Sequence, residues 1–112
     1  MAFQIDIKSS DMFRKEVLDV PSTCQVCEVY QGWAGPCKAI VSTFKRIFFD
    51  SGDRPLKFYT VDAEKVGGME EYRGHCQPVF LFFKDGKVVD KVVGVIAPAL
   101  ERKIMEHSAL SP

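Results

Sequence analysis

The side chains of this 112-residue chain best suited to chemistry are four cysteines, Cys24, Cys27, Cys37 and Cys76, and two histidines, His75 and His107. Thiols can act as nucleophiles, close disulfides or bind soft metals, and their spacing decides among these. Cys24-Gln25-Val26-Cys27 has the formal Cys-x-x-Cys spacing. It lies in a run, Cys24 to Tyr30, that reads as a β-strand, in which residues three apart point to opposite faces. That geometry works against a disulfide or a metal pair, and no second cysteine pair at metal-site spacing accompanies it. Both are read as structural thiols, and no metal and no cofactor is expected. Cys37 and Cys76 each stand alone in the sequence. His75 falls in a loop and His107 at a helix end, and no chemistry is assigned to either.

The bulk numbers limit what these groups can serve. Hydrophobic residues make up 46% and charged residues 27%, as in an ordinary globular protein, and the length fits one domain over residues 1–112. Fifteen basic residues balance fifteen acidic ones, which argues against a general nucleic-acid or acidic-membrane surface. No stretch approaches the roughly 20 apolar residues needed to span a bilayer. The N-terminus, Met1 to Asp6, has neither a basic segment nor an apolar one, so no signal peptide is expected and the thiols suit a reducing, cytoplasmic setting.

The elements that must position these residues follow from periodicity. Phe3 to Ile7 alternates apolar and polar residues as a short strand. Ser9-Ser10-Asp11 supplies helix caps, and Met12, Phe13, Val17 and Leu18 recur at helical spacing up to Val20, before Pro21. After the strand Cys24–Tyr30, the face Ile40, Val41, Phe44, Ile47, Phe48 predicts a helix from Pro36 to about Asp50, with Pro36 in its first turn. Leu56 to Val61 reads as a strand, Glu64 to Arg73 as a helix, and Val79 to Phe83 as a continuous apolar strand. Asp85-Gly86 predicts a tight hairpin turn, and Lys87 to Val95 its returning partner. Pro98 opens a last helix to about His107. The order β-α-β-α-β-α-β-β-α gives an α/β fold: four helices around a mixed central β-sheet, parallel at first and closed by an antiparallel hairpin.

Between the second strand and the second helix lies Trp33-Ala34-Gly35-Pro36-Cys37-Lys38. It resembles the active-site run Trp-Cys-Gly-Pro-Cys-Lys of the thioredoxin family. With the element order, the resemblance extends from Phe3 to about Ile104 and implies the thioredoxin fold. Gln77-Pro78 falls where that family carries a cis-proline facing the active site, and Asp62, the Lys84-Asp85-Gly86 turn and Gly94 match further landmarks. The resemblance assigns Cys37 as the resolving cysteine and places Ala34 at the position of the attacking one. A thiolate must attack a disulfide sulfur before a second thiol can resolve the mixed disulfide, and alanine has no sulfur. Glu28 occupies the position of the family's buried aspartate, which handles a proton for the resolving thiol. Ser42 replaces a proline that kinks the second helix in many relatives, so a straighter helix is expected.

Val29-Tyr30-Gln31-Gly32-Trp33 and Glu71-Tyr72-Arg73-Gly74-His75-Cys76-Gln77-Pro78 resemble one branch of the family. That branch comprises the thioredoxin-like light chains of ciliary outer-arm dyneins and the thioredoxin domains fused to nucleoside diphosphate kinase modules. Its members usually keep both active-site cysteines, so Ala34 departs from it. The resemblance implies a non-catalytic interaction subunit in the axoneme of a cilium or flagellum, with a dynein heavy chain or another axonemal dynein subunit as partner. Trp33, Gly35, Pro36, Cys76, Gln77 and Pro78 would form its binding face, and Cys76 offers a thiol for an intermolecular disulfide. The alternative is a cytosolic thioredoxin-type disulfide reductase carrying an engineered Cys-to-Ala change at position 34. A third reading is a monothiol sensor using Cys37 or Cys76.

Overall fold

The computed structural model describes residues 4–31, 35, 37–50, 54–74 and 77–108. Five strands form one sheet in the order β1-β3-β2-β4-β5. They are β1 (Gln4–Ile7), β2 (Cys24–Tyr30), β3 (Leu56–Asp62), β4 (Val79–Lys84) and β5 (Lys87–Val93). β1 and β2 both run parallel to β3, whereas β4 runs antiparallel to β2 and β5 antiparallel to β4. The mixed central sheet is as expected.

β2 is central, and all seven of its residues are buried. Alternation along the strands sends their side chains into two separate cores. One core joins Cys27, Val29, Tyr59, Val61, Leu81 and Phe83 to Phe13 and Val17 of the first helical segment. The other joins Cys24, Val26, Phe58, Phe80 and Phe82 to α2 (Val41–Asp50) and α3 (Ala97–His107). Phe44 of α2 centres this second core, stacked on Phe58 at 4.8 Å and edge-on to Phe80 at 5.8 Å. Full burial of one such side chain stabilises a fold by about 1.5–3 kcal/mol. Among the described residues no helix is long and apolar enough to cross a membrane.

Several elements differ from their sequence expectation. The first helix is capped by Ser9, whose side chain accepts from the Met12 N–H at 3.1 Å. It runs as α-helix only over Ser10–Phe13 (α1), widens into a π-helical turn at Arg14–Leu18 and stops before Val20. The regular part of the second helix starts at Val41, after a turn at residues 38–40, rather than at Pro36. Of the helix expected over 64–73, only a short 3-10 turn, Glu70–Tyr72, forms. Gly67 and Gly68 explain this: Gly68 takes a φ of +92°, and helix interiors disfavour glycine. Their N–H groups are held by side chains instead, Gly67 by Ser10 Oγ at 2.7 Å and Gly68 by Glu70 at 2.9 Å. Three regular helices therefore flank the sheet among the described residues, not four.

The hairpin turn forms as predicted, with Asp85 at φ +52° and Gly86 at +78°. A Cβ at Gly86 would lie 2.8 Å from the Leu18 carbonyl oxygen, so the position requires glycine twice over. Pro78 is a correction. No peptide bond among the described residues is cis, so the Gln77–Pro78 bond is trans. Trans is the intrinsically favoured isomer by about 0.5–1 kcal/mol, and only the family resemblance had pointed the other way.

Candidate functional site

The C-terminal half of the central strand β2 carries Glu28 and Tyr30, and Gln31 follows directly after it. Glu28 is 1% exposed, between Thr60 of β3 and Phe80 of β4. Its Oε2 accepts the Cys37 backbone N–H at 2.6 Å, while Oε1 is buried with no hydrogen-bond partner. Loss of hydration penalises the ionised form, and the Cys37 N–H opposes this only in part, so the carboxyl is pushed up to about 7. The structure thus brings together Glu28 and Cys37, two residues named from sequence, and leaves Cys37 half-buried.

Tyr30 and Gln31 carry the positioning. Tyr30 reaches across β3 and donates its hydroxyl to Asp6 Oδ1 on β1 at 2.9 Å. Thr60 donates to the same oxygen at 2.9 Å. Gln31 is buried, and its amide clamps the segment that leads to Pro78. Nε2 donates to the Tyr72 carbonyl at 2.6 Å, and Oε1 accepts the Gly74 N–H at 2.8 Å. The Gln31 carbonyl also accepts the Gly35 N–H at 2.9 Å. One residue therefore ties Gly35 and the 72–74 turn to the end of β2. On the other side, the Gly94 N–H donates to the Pro78 carbonyl at 2.8 Å, which fixes Pro78 to the end of β5. Gly35, Cys37 and Pro78 are placed by these contacts, and Gln77, next to Pro78, has its side-chain amide beside Gly94. Trp33, Ala34, Pro36, His75 and Cys76 lie outside the described residues.

Cys24 and Cys27 enter opposite cores, as the strand alternation predicted, and both are free thiols. Burial pushes the Cys24 thiol up to about 11, and Cys27 further still, so neither supplies a thiolate near neutral pH. His107 was assigned no chemistry from sequence, yet it sits in a small charged cluster. Its Nε2 lies 3.0 Å from Asp90 Oδ2, and Lys103 Nζ lies 2.7 Å from the same oxygen. Asp90, Glu106 and His107 bring one ligand atom each to within 4.8 Å of one another. The Lys103 ammonium already occupies the Asp90 oxygen and holds that carboxyl well below the usual range. The group acts as an ion-pair lock between β5 and α3. Only the strand alternation at Asp90 and the helical spacing of Lys103 and His107 could have signalled it.

The sequence that folds into this sheet, with its buried Glu28, is matched over residues 4–106 by the family described as Thioredoxin. The chain belongs to the thioredoxin family. It is 53% identical over 112 residues to "Dynein 14 kDa light chain, flagellar outer arm" of Chlamydomonas reinhardtii, covering all of this chain and 87% of that one. It is 36% identical over 107 residues to human "Thioredoxin domain-containing protein 6", covering 96% of this chain but only 32% of that protein. Among solved structures, the thioredoxin of Malassezia sympodialis superposes with a TM-score of 0.73 at 33% identity, over 96% of this chain and 92% of its own. Thioredoxin NaTrxh of Nicotiana alata gives 0.76 at 25% identity, over 96% and 95%.

Proposed function

We propose that this chain is a thioredoxin-fold light chain of a ciliary or flagellar outer-arm dynein, acting by docking and not by disulfide exchange. The observation that carries the reading is the 53% identity along its whole length to a protein named as an outer-arm dynein light chain. Residues 1–112 serve as one domain in this role. The missing thiol at position 34 fits it, because the attacking sulfur is what exchange requires and docking does not. The docking face is built by Gly35, Gln77 and Pro78 with Trp33, Pro36 and Cys76. Gly35 and the 72–74 turn are pinned by Gln31, and Pro78 by Gly94, which lowers the ordering cost of receiving an extended partner segment. The partner is the heavy chain or another subunit of the arm, and the chain resides in the axoneme.

Pull-down from salt-extracted axonemes, with and without reductant, tests this reading. Recovery of dynein heavy chain that survives reductant supports packing alone. Recovery that is lost under reductant supports a disulfide through Cys76. Recovery of soluble cytoplasmic proteins alone refutes the assignment and leaves the fold untouched.

A further inference from the structure

The last strand of the sheet combines two features that the docking face does not use. β5 is an edge strand, with no neighbour on its outer side among the described residues. It is also unusually apolar for an edge: Val88, Val89 and Val93 are exposed, and Val95 and Ile96 continue the strip. Val89 has no partner on β4, because Phe82 pairs with Asp90 and Phe83 with Val88, a bulge that re-aims the strand. Val88 lines a cavity of about 380 Å³ on the α1 side of the sheet, together with Phe13, Leu18, Met69, Leu81 and Phe83. This cavity opens where the glycine pair keeps residues 64–73 from forming a helix.

Charge separates the occupants. Asp90 turns inward to Lys103 and His107, so its negative charge is spent inside the fold. Lys87 and Lys91 are exposed and join no ion pair among the described residues, so the outer edge is basic. A second copy of the chain fits poorly. Closed antiparallel pairing of two β5 strands places one residue opposite itself. Centred on Val89 it sets Lys87 against Lys91, and centred on Lys91 it sets two lysines face to face, which is destabilising; centred on Asp90 it sets each lysine opposite a valine and gains no ion pair. Registers centred further out leave most of the strand unpaired. Edge lysines block self-association by charge, and the same charge admits a strand of opposite sign.

We propose that β5 is a second docking surface, to which an extended acidic and apolar segment of a partner protein adds as a sixth strand, with a bulky apolar side chain opposite Val88 entering the adjoining cavity. Main-chain hydrogen bonds to the open edge give the affinity, as in other strand additions. Acidic residues opposite Lys87 and Lys91 set register and partner choice. The surface does not depend on the docking-face reading, since none of Gly35, Gln77 or Pro78 takes part.

The probe is a synthetic peptide, Val-Thr-Glu-Thr-Thr-Leu-Glu, which when antiparallel to β5 sets its acids against Lys91 and Lys87 and its leucine against Val88. Titration into the isotope-labelled chain should shift the amide resonances of residues 87–93 and of the cavity lining, and slow exchange of the β5 amides. In the Lys87→Glu/Lys91→Glu double variant, binding should weaken about tenfold, in line with two partly exposed charge pairs. The same peptide with lysines in place of its glutamates should then bind the variant better than it binds the original chain. Shifts confined to Gly35, Cys37 and Gln77, or no shift along β5 at millimolar peptide, would overturn the proposal. So would charge reversal without effect, or a concentration-dependent dimer in sedimentation that protects β5, which would make a second copy the occupant.

Discussion

Ala34 carries a methyl group where thiol–disulfide exchange starts from a sulfur lone pair. The chain is therefore expected to reduce insulin disulfides with dithiothreitol no faster than the uncatalysed reaction. Ala34→Cys should restore at least partial turnover, because Cys37 stays half-buried at the start of the second helical region, with Glu28 bonded to its N–H. Turnover by the chain as it stands would contradict the non-catalytic reading. Glu28 gives a prediction independent of catalysis. Its carboxyl lies near 4.5 when unfolded and is pushed up to about 7 when folded, so between those values the native state binds the extra proton. Stability therefore falls as pH rises through that window and levels off above it. The penalty is at most about 3.5 kcal/mol, since each tenfold change in proton affinity corresponds to about 1.4 kcal/mol. Glu28→Gln should remove the dependence, which urea unfolding midpoints at about pH 5 and about pH 8 would show. The residue types of Glu28 and Cys37 were legible in the sequence, but their contact was not. Nine positions separate them, and the contact between the carboxylate and the Cys37 N–H exists only in the folded chain.

At the scale of elements, the strands were legible and the segment 64–73, expected as a helix, was not. β4 is a continuous apolar run from Val79 to Phe83, β2 is rich in strand-forming residues around Gln25 and Glu28, and the hairpin follows from Asp85-Gly86. Strand identity there is set by burial, which the sequence encodes directly. The segment 64–73 has helix-forming residues at both ends, but Gly67-Gly68 interrupts it, and side chains from Ser10 and Glu70 capture the freed N–H groups. Such tertiary capture has no local signature. Tyr30 and Gln31 were legible only as marks of a family branch, and the structure gives them work: Tyr30 reaches Asp6 across β3, and Gln31 clamps the 72–74 turn. Gln31→Ala leaves the Tyr72 carbonyl and the Gly74 N–H without their partner. It should cost about 1 kcal/mol, the usual net worth of a hydrogen bond, because Gly74 is exposed and Tyr72 only half-buried, so the freed groups can turn to water. Chemical unfolding would give the loss, and hydrogen exchange should quicken at Gly74 and Gln77 before it does in β2.

Across the whole molecule, the sheet divides two cores of different character. The α2–α3 side is closed by aromatic stacking and by the Asp90 lock, whereas the α1 side keeps a cavity. Phe44→Ala, at the centre of the closed side, should cost about 3–5 kcal/mol in unfolding free energy, the usual range for a buried phenylalanine. Asp90 is held below the usual carboxylate range by Lys103 and His107, so its contribution is present at neutral pH and is lost as pH falls through the acid range. Lys103→Met should flatten that acid limb in thermal melts taken at falling pH. This arrangement, rigid beneath Gly35, Cys37 and Pro78, suits a part that is held in place, and the central claim is that an axonemal dynein holds it. The most direct measurement is velocity sedimentation of a salt extract of axonemes in a sucrose gradient under reductant, with this chain followed by antibody. Docking in the outer arm predicts that the chain peaks in the fractions that contain dynein heavy chain. A peak at the top of the gradient, at the size of the free chain and apart from every dynein subunit, would contradict it.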